Sequence, residues 1–237
     1  LLGSFFYNNY GSDNLESNTI RELDSNSNVL NTITQNDFED DIDNNREYNL
    51  NFEKKLDDKG QLITIDLQYE NSKEWENSLI DENGVASESV DENIQSESFF
   101  VRSDYVLPIG ENRQIEAGIR IESEDDITDY KVFDIVGNIL DEDLDQSNIF
   151  QYKERISAAY TQYGVKVEDK YSFLLGLRVE NTLKNVNQLT IQDYTEINDT
   201  GLFPTFNFGL EITEEETLTF GYNRRIRRPW SRFVNPF

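Results

Sequence analysis

Arg224, Arg225, Arg227 and Arg228 are the one basic concentration in a chain of 237 residues that carries 47 acidic and 21 basic side chains. Guanidinium groups grouped this way can grip carboxylates or phosphates through paired hydrogen bonds. Nucleic acid is not the expected partner, because a net charge of −26 repels phosphate chains and no broad basic face exists. Carboxylates supply the other possible chemistry. Glu122, Glu124, Asp125, Asp126 and Asp129 lie close together, as do Asp141, Glu142, Asp143 and Asp145. Such oxygen-rich runs suit calcium, yet no Asp-x-Asp-x-Asp-Gly loop with a trailing Glu is present, so a solvated acidic surface is the preferred reading and no metal ligand is assigned. Two carboxylates across a cleft would suit glycoside hydrolysis, but nothing in the spacing sets any two of them opposite one another. The chain holds no Cys, His or Met. That excludes disulfides, thiolate nucleophiles, Cys/His zinc sites and every mechanism needing an imidazole. No catalytic residue and no cofactor is assigned, and the expectation is a protein that is not an enzyme.

The elements that must carry these groups are extended. High charge with a mean hydropathy of −0.68 favours disorder, but 12% aromatic content and a strict order among the apolar residues oppose it. Tyr48, Leu50, Phe52 and Leu56 share one face, and Asn49, Asn51, Glu53 and Lys55 share the other. The alternation resumes in Ile63, Ile65, Leu67 and Tyr69, then in Phe99, Val101, Tyr105, Leu107 and Ile109, then in Ile115, Ala117, Ile119 and Ile121. Later rows are Ile156, Ala158 and Tyr160; Tyr171, Phe173, Leu175, Leu177 and Val179; Phe206, Phe208, Leu210 and Ile212; and Leu218, Phe220, Tyr222 and Ile226. A period of two marks strands with one apolar face.

The connections alternate as regularly as the side chains. Residues 57–60, 110–113, 166–170 and 213–216 are short polar turns, and between them lie long acidic segments at 71–95, 124–147 and 181–199. An earlier segment, 11–43, has room for its own hairpin around Thr19–Leu23 and Val29–Thr34. Long and short connections at opposite ends are the layout of an up-and-down transmembrane barrel, with tight periplasmic turns and long outer loops. The expected fold is therefore all-β, an antiparallel up-and-down meander forming part of a transmembrane β-barrel. We count about nine long strands, whereas self-contained bacterial barrels have an even number. With no initiating Met, the expectation is that residues 1–237 are one section of a single barrel domain, without a plug.

Two stretches carry a resemblance. Glu154-Arg155-Ile156-Ser157-Ala158-Ala159-Tyr160 leading to Leu174-Leu175-Gly176-Leu177-Arg178-Val179-Glu180-Asn181-Thr182 is one, and Leu202-Phe203-Pro204-Thr205 with Leu218-Thr219-Phe220-Gly221-Tyr222-Asn223-Arg224-Arg225-Ile226-Arg227-Arg228-Pro229 and Val234-Asn235-Pro236-Phe237 is the other. They resemble the outer-membrane β-barrel family of TonB-dependent receptors of Gram-negative bacteria, in which a GLR-E-T strand, an LFPS strand start and a SYSRRI-RP…LNPF strand and loop recur. The matching positions are Gly176, Arg178, Glu180, Phe203, Pro204, Arg224, Arg225, Arg228, Pro229, Asn235, Pro236 and Phe237, while Asn223 and Val234 depart mildly from the pattern.

The resemblance implies a wide barrel of about 22 strands, usually plugged by an N-terminal domain. It implies uptake of a nutrient ligand across the outer membrane, driven by the TonB complex acting on the plug. Partners would be outer-membrane lipid, the plug of the parent chain and an unknown ligand. By parity Arg225 and Arg227 face the lumen with Thr217, Thr219 and Asn223, either holding an acidic plug surface or lining the ligand path. A structural ion-pair network is the preferred alternative. Arg224 falls on the lipid side, where a long side chain can snorkel. Tyr105, Tyr130, Phe150, Tyr152, Tyr160, Tyr163, Tyr171 and Phe203 are expected in interfacial girdles. The rival readings are a secreted acidic β-sheet adhesin and a lipase-type barrel, the latter disfavoured by the missing His.

Overall fold

The computed structural model describes residues 1–227 except Asn138, Asp169 and Glu214. Ten strands follow in chain order: β1 (Leu2–Leu23), β2 (Val29–Lys55), β3 (Leu62–Glu82), β4 (Val85–Pro108), β5 (Arg113–Val136), β6 (Ile139–Glu142), β7 (Asn148–Val167), β8 (Tyr171–Gln188), β9 (Asp193–Glu211) and β10 (Thr217–Asn223). They form one antiparallel sheet in the order β1-β2-β3-β4-β5-β7-β8-β9-β10, with short β6 paired to the far end of β5. Among the described residues β1 and β10 do not pair, so the sheet is open.

The short turns fall where the sequence places them. The long acidic segments do not form loose loops. They continue the strands, so β3 and β4 run unbroken to a two-residue turn at Asn83-Gly84. Both turn residues are left-handed, with φ of 54° and 81°, the pairing that matches strand twist in a two-residue hairpin. The segment 11–43 is a hairpin closed at Asp24, whose carboxylate accepts the Asn26 and Asn28 N–H groups at 2.8 Å each. Asn, Asp and Ser have poor strand propensity, which made these segments read as connections. Inside the sheet residues 71–82 and 88–95 gain a ladder on each side, and polar cross-strand partners form, such as Asn45 to Glu70 at 2.9 Å and Asn36 to Asp81 at 3.1 Å.

Register fixes two faces. Tyr48, Tyr69 and Phe99 stand side by side on one of them, as do Leu50, Leu67, Val101 and Ile121. Further along lie Leu175 and Phe206, then Phe208 and Phe220. The apolar row covers residues 62–69 on β3; eight residues at ~3.3 Å each run about 26 Å along the strand, about 20 Å of height at the ~40° tilt of barrel strands, close to the apolar band of a transmembrane barrel. The acidic remainder of β3 extends roughly 40 Å farther along the strand. Among the described residues no second layer covers the band: Leu175 is 53% exposed, Leu202 53% and Phe220 61%. The buried apolar residues are Val132, Phe150, Tyr152 and Ala158, all on the opposite face.

One row differs from the expectation. Ile156, Ala158 and Tyr160 pair with Glu122, Arg120 and Gly118 and so lie on the polar face; Ser157, Ala159, Thr161 and Tyr163 take the apolar side. β7 is held between two strongly apolar rows, Ile115 to Ile121 on β5 and Leu175 to Val179 on β8, and their register overrides its own weak alternation. The aromatic girdle is corrected likewise. Tyr105, Tyr163 and Tyr171 do lie on the apolar face, whereas Tyr130, Phe150, Tyr152, Tyr160 and Phe203 turn to the polar face.

The acidic arms carry a pH dependence. Burial raises the carboxyls of Glu74, Glu76, Glu88 and Glu92 above their ordinary range, and neighbouring acids add to it: Asp43 beside Glu74, Glu39 beside Glu76, Asp134 beside Glu88. Glu124, just beyond the band, is pushed up to about 7, by burial first and then by Asp126 and Glu154. A carboxyl raised in the folded state binds its proton more tightly there than in the unfolded chain. Its effect on stability is therefore a gain as pH falls from neutral towards the ordinary carboxylate range, and a loss as pH rises. With Trp230 replaced by Phe, thermal melting followed by Trp75 fluorescence should show a higher midpoint at about pH 5 than at about pH 8. A flat or opposite trend would contradict the assignment.

Candidate functional site

The polar face at band height is built on two copies of one local pattern. Gly118-x-Arg120-x-Glu122 on β5 and Gly176-x-Arg178-x-Glu180 on β8 each place a glycine, a guanidinium and a carboxylate on the same side of a strand. The period of two requires this, since residues i, i+2 and i+4 share a face. In each copy the arginine Nε donates to the glutamate two residues on, at 2.8 Å. In each it also lies over an aromatic ring of the preceding strand on the sheet path, Arg120 over Phe100 at 5.4 Å and Arg178 over Tyr160 at 5.6 Å. Sequence reading found only the β8 copy. The signal for the other was its identical spacing.

A third arginine joins them. Arg102 stands directly opposite Arg120, an unfavourable like-charge pair. It turns away to Asp66 at 2.6 Å and Asp104 at 3.3 Å. Asp104 also accepts the Tyr160 hydroxyl proton, so Asp66, Arg102, Asp104, Tyr160, Arg178 and Glu180 form a continuous chain across β3 to β8. Glycine makes this possible at one point. A Cβ on Gly118 would come within 2.5 Å of Asp104 Oδ1 and 2.6 Å of Tyr160 Cζ, so the tyrosine ring lies flat only because that side chain is missing.

The arginines at the chain's end meet this network. A cleft of about 340 Å³ is lined by Arg120, Arg178, Glu180, Phe203, Arg224 and Arg225. Regular pairing stops at Asn223, and there the alternation of faces also stops. Arg224 therefore does not reach out to lipid: its guanidinium lies 5.7 Å over the Phe203 ring, and its N–H donates to the Pro204 carbonyl at 3.2 Å. Arg225 lines the cleft, while Arg227 is exposed past the end of β10. Among the described residues neither forms an ion pair. Arg228, Pro229, Asn235, Pro236 and Phe237 lie outside the described residues.

The carboxylate runs are separated by the sheet. Glu122, Glu124 and Asp126 face one side of β5, and Asp125 and Asp129 the other. Asp125 is bound to Lys153 at 2.6 Å and Asp129 to Lys131 at 3.0 Å. Asp143 accepts N–H groups of Asp145 and Gln146 and so closes its own turn. Among the described residues no group of three or more acidic side chains is arranged to hold a metal ion. Just beyond the band, Lys184 bridges Glu154 at 2.9 Å and the buried Tyr152 hydroxyl at 3.0 Å.

Comparison with known proteins agrees with this architecture. The fold resembles that of the ferric citrate transporter FecA in its unliganded form, with a TM-score of 0.52 at 11% identity over 79% of this chain and 32% of that one. The ferric yersiniabactin uptake receptor FyuA from Yersinia pestis aligns with a TM-score of 0.42 at 10% identity, over 90% of this chain and 42% of that one. The chain thus spans about a third of the length of the first of these receptors. No curated protein matches the sequence. The profile of the Outer membrane protein beta-barrel family matches residues 54–237. An uncovered apolar band of membrane height, a charged opposite face and this match agree: the chain belongs to the outer membrane protein beta-barrel family, and its place is the outer membrane.

Proposed function

We propose that residues 1–237 are wall of the barrel of an energy-coupled uptake receptor, one that takes a nutrient ligand across the outer membrane. One observation carries the reading. Among the described residues nine strands lie side by side without the sheet closing on itself, and barrels much wider than eight strands enclose a channel or a plugged lumen rather than a core of their own side chains. The Arg and Glu network of the polar face then lines that lumen. In this reading Arg225, beside Arg120 and Arg178 in the cleft, and Arg227 hold an acidic plug surface or guide an acidic ligand. The plug and the TonB complex that pulls on it are the partners this reading requires. The likeness to the ferric citrate transporter supports the barrel; the nature of the ligand does not follow from it.

The test is depletion of solutes from a growth medium by cells carrying the intact protein, cells lacking it, and cells lacking the inner-membrane energising complex. At least one solute should be taken up only when both the protein and the complex are present. Uptake independent of the complex would make the barrel a passive pore and remove the receptor reading.

A further inference from the structure

The apolar face holds a second arrangement, immediately outside the lipid band. Tyr48, Tyr69 and Phe99 form the aromatic rim on the side of the long arms, and Phe5 extends it, with its ring 4.9 Å from that of Tyr48. In the barrels of this family the long connections are extracellular, so this rim marks the outer leaflet. Arg155 stands in the same cross-strand row, opposite Ser123. One rung farther out, Arg46 and Lys153 lie in a row with Asn71, Glu97 and Asp125. Lys73 follows on the next rung, opposite Asn44. Four cations of an acidic chain thus occupy three rungs at headgroup height.

Their pairing sets them apart. Lys153 is tied to Asp125 at 2.6 Å. Arg46, Lys73 and Arg155 are exposed, and among the described residues none of them forms an ion pair with a carboxylate. Arg46 is steadied by the Tyr7 ring at 6.0 Å. Between these groups the surface is hollowed: a cleft of about 520 Å³ is lined by Arg46, Tyr48, Tyr69, Lys73, Glu97 and Asp125. Of the two acids in it, Asp125 is ion-paired with Lys153 through one carboxylate oxygen, and Glu97 accepts from the Asn71 amide at 3.3 Å and keeps its charge. Farther out on the same face the charge reverses, with Asp13 opposite Asp40 and Asp91 opposite Asn77. In that row the cation Lys131, opposite Asp91, is tied to Asp129 at 3.0 Å.

We infer that this cleft docks the phosphorylated headgroup of an outer-leaflet lipid. Arg46 and Lys73 are diagonal neighbours on adjacent strands, with Cα atoms about 7–8 Å apart, a separation at which two long side chains can converge on one phosphate. Three strand spacings from Lys73, about 14 Å away, Lys153 and Arg155 offer a second point of attachment. The rings of Tyr48 and Tyr69 form the base of the cleft at the level where acyl chains begin. The occupant is a membrane lipid rather than free phosphate, because the cleft opens on the lipid side and continues the apolar band. The inference needs only the outer-membrane placement and stands whether or not the barrel imports a ligand.

The experiment titrates the intact protein, purified in non-ionic detergent, with lipid A, with the same lipid stripped of its phosphates, and with inorganic phosphate as competitor, and reads bound lipid by native mass spectrometry. Lipid A should bind at least about tenfold more tightly than the stripped lipid. Arg46→Ala and Lys73→Ala should each weaken it roughly fivefold, while Arg46→Lys should retain most of the affinity and Lys131→Ala, farther out, all of it. Heat-modifiable gel migration checks that each variant is folded. Equal binding of the stripped lipid overturns the inference without reference to any variant. So does an unchanged affinity in the Arg46→Ala/Lys73→Ala double variant, or full displacement by equimolar inorganic phosphate, which would assign the cleft to a soluble anion.

Discussion

Leu175→Arg should prevent the protein from assembling in the outer membrane, whereas Ser172→Arg should leave assembly close to normal. Leu175 lies at the middle of the apolar row of β8, opposite Tyr163 and Phe206, and is 53% exposed with no protein layer over it. In the membrane that exposure is contact with hydrocarbon. A guanidinium at mid-depth costs about 2–4 kcal/mol there, while the same group near an interface costs about 0–1. Ser172 lies on the opposite face, across from Gly209 and next to the short turn, where a long cation can reach water. Phe173→Arg, one rung nearer the turn, should be intermediate. Heat-modifiable migration of the outer-membrane fraction reads the outcome. Equal assembly of the Leu175 and Ser172 variants would mean that the apolar row does not face lipid.

Gly118→Val should damage the lumenal network from a position that carries no functional group. The added side chain would collide with Asp104 Oδ1 and the Tyr160 ring, 2.5 and 2.6 Å from its Cβ. Tyr160 would have to swing out, giving up its hydrogen bond to Asp104 and its place under Arg178. Overpacking of this kind costs about 1–3 kcal/mol, and a lost cation–π contact adds about 0.5–2. Urea unfolding in lipid vesicles should show a lowered midpoint with an unchanged slope. Gly118→Val combined with Tyr160→Ser, which makes room for the new side chain, should recover part of the loss. Without that recovery the damage lies in the strand itself and not in the packing of the ring.

Much of this molecule is legible one strand at a time. The rows on β2, β3, β4, β5, β8, β9 and β10 announce their own faces, because wherever one side of a strand is apolar a slip of one residue exposes every side chain to the wrong medium. The turns announce themselves through their polar residues, the Asp57 turn among them, where the carboxylate accepts the Lys59 and Gln61 N–H groups. β7 does not. Ser157, Ala159 and Thr161 on one side and Ile156, Ala158 and Tyr160 on the other are nearly balanced, and its facing is decided by the strands beside it. The acidic arms fail for a related reason, since local propensity reads Asn- and Asp-rich stretches as loops while the ladders that extend them come from partners tens of residues away.

The amino-acid sequence by itself determined that this is a one-sided β meander with an outer-membrane character, because the period of two and the alternation of short polar turns with long acidic segments are local properties of the chain. Tertiary structure alone decided where the charges meet. It paired the Arg120 and Arg178 motifs, brought Arg225 to them, turned Arg224 back over Phe203, and set Arg46 and Lys73 around one cleft on the lipid side. Those neighbours are fixed by strand order and register, which depend on hydrogen bonds between segments far apart in the chain.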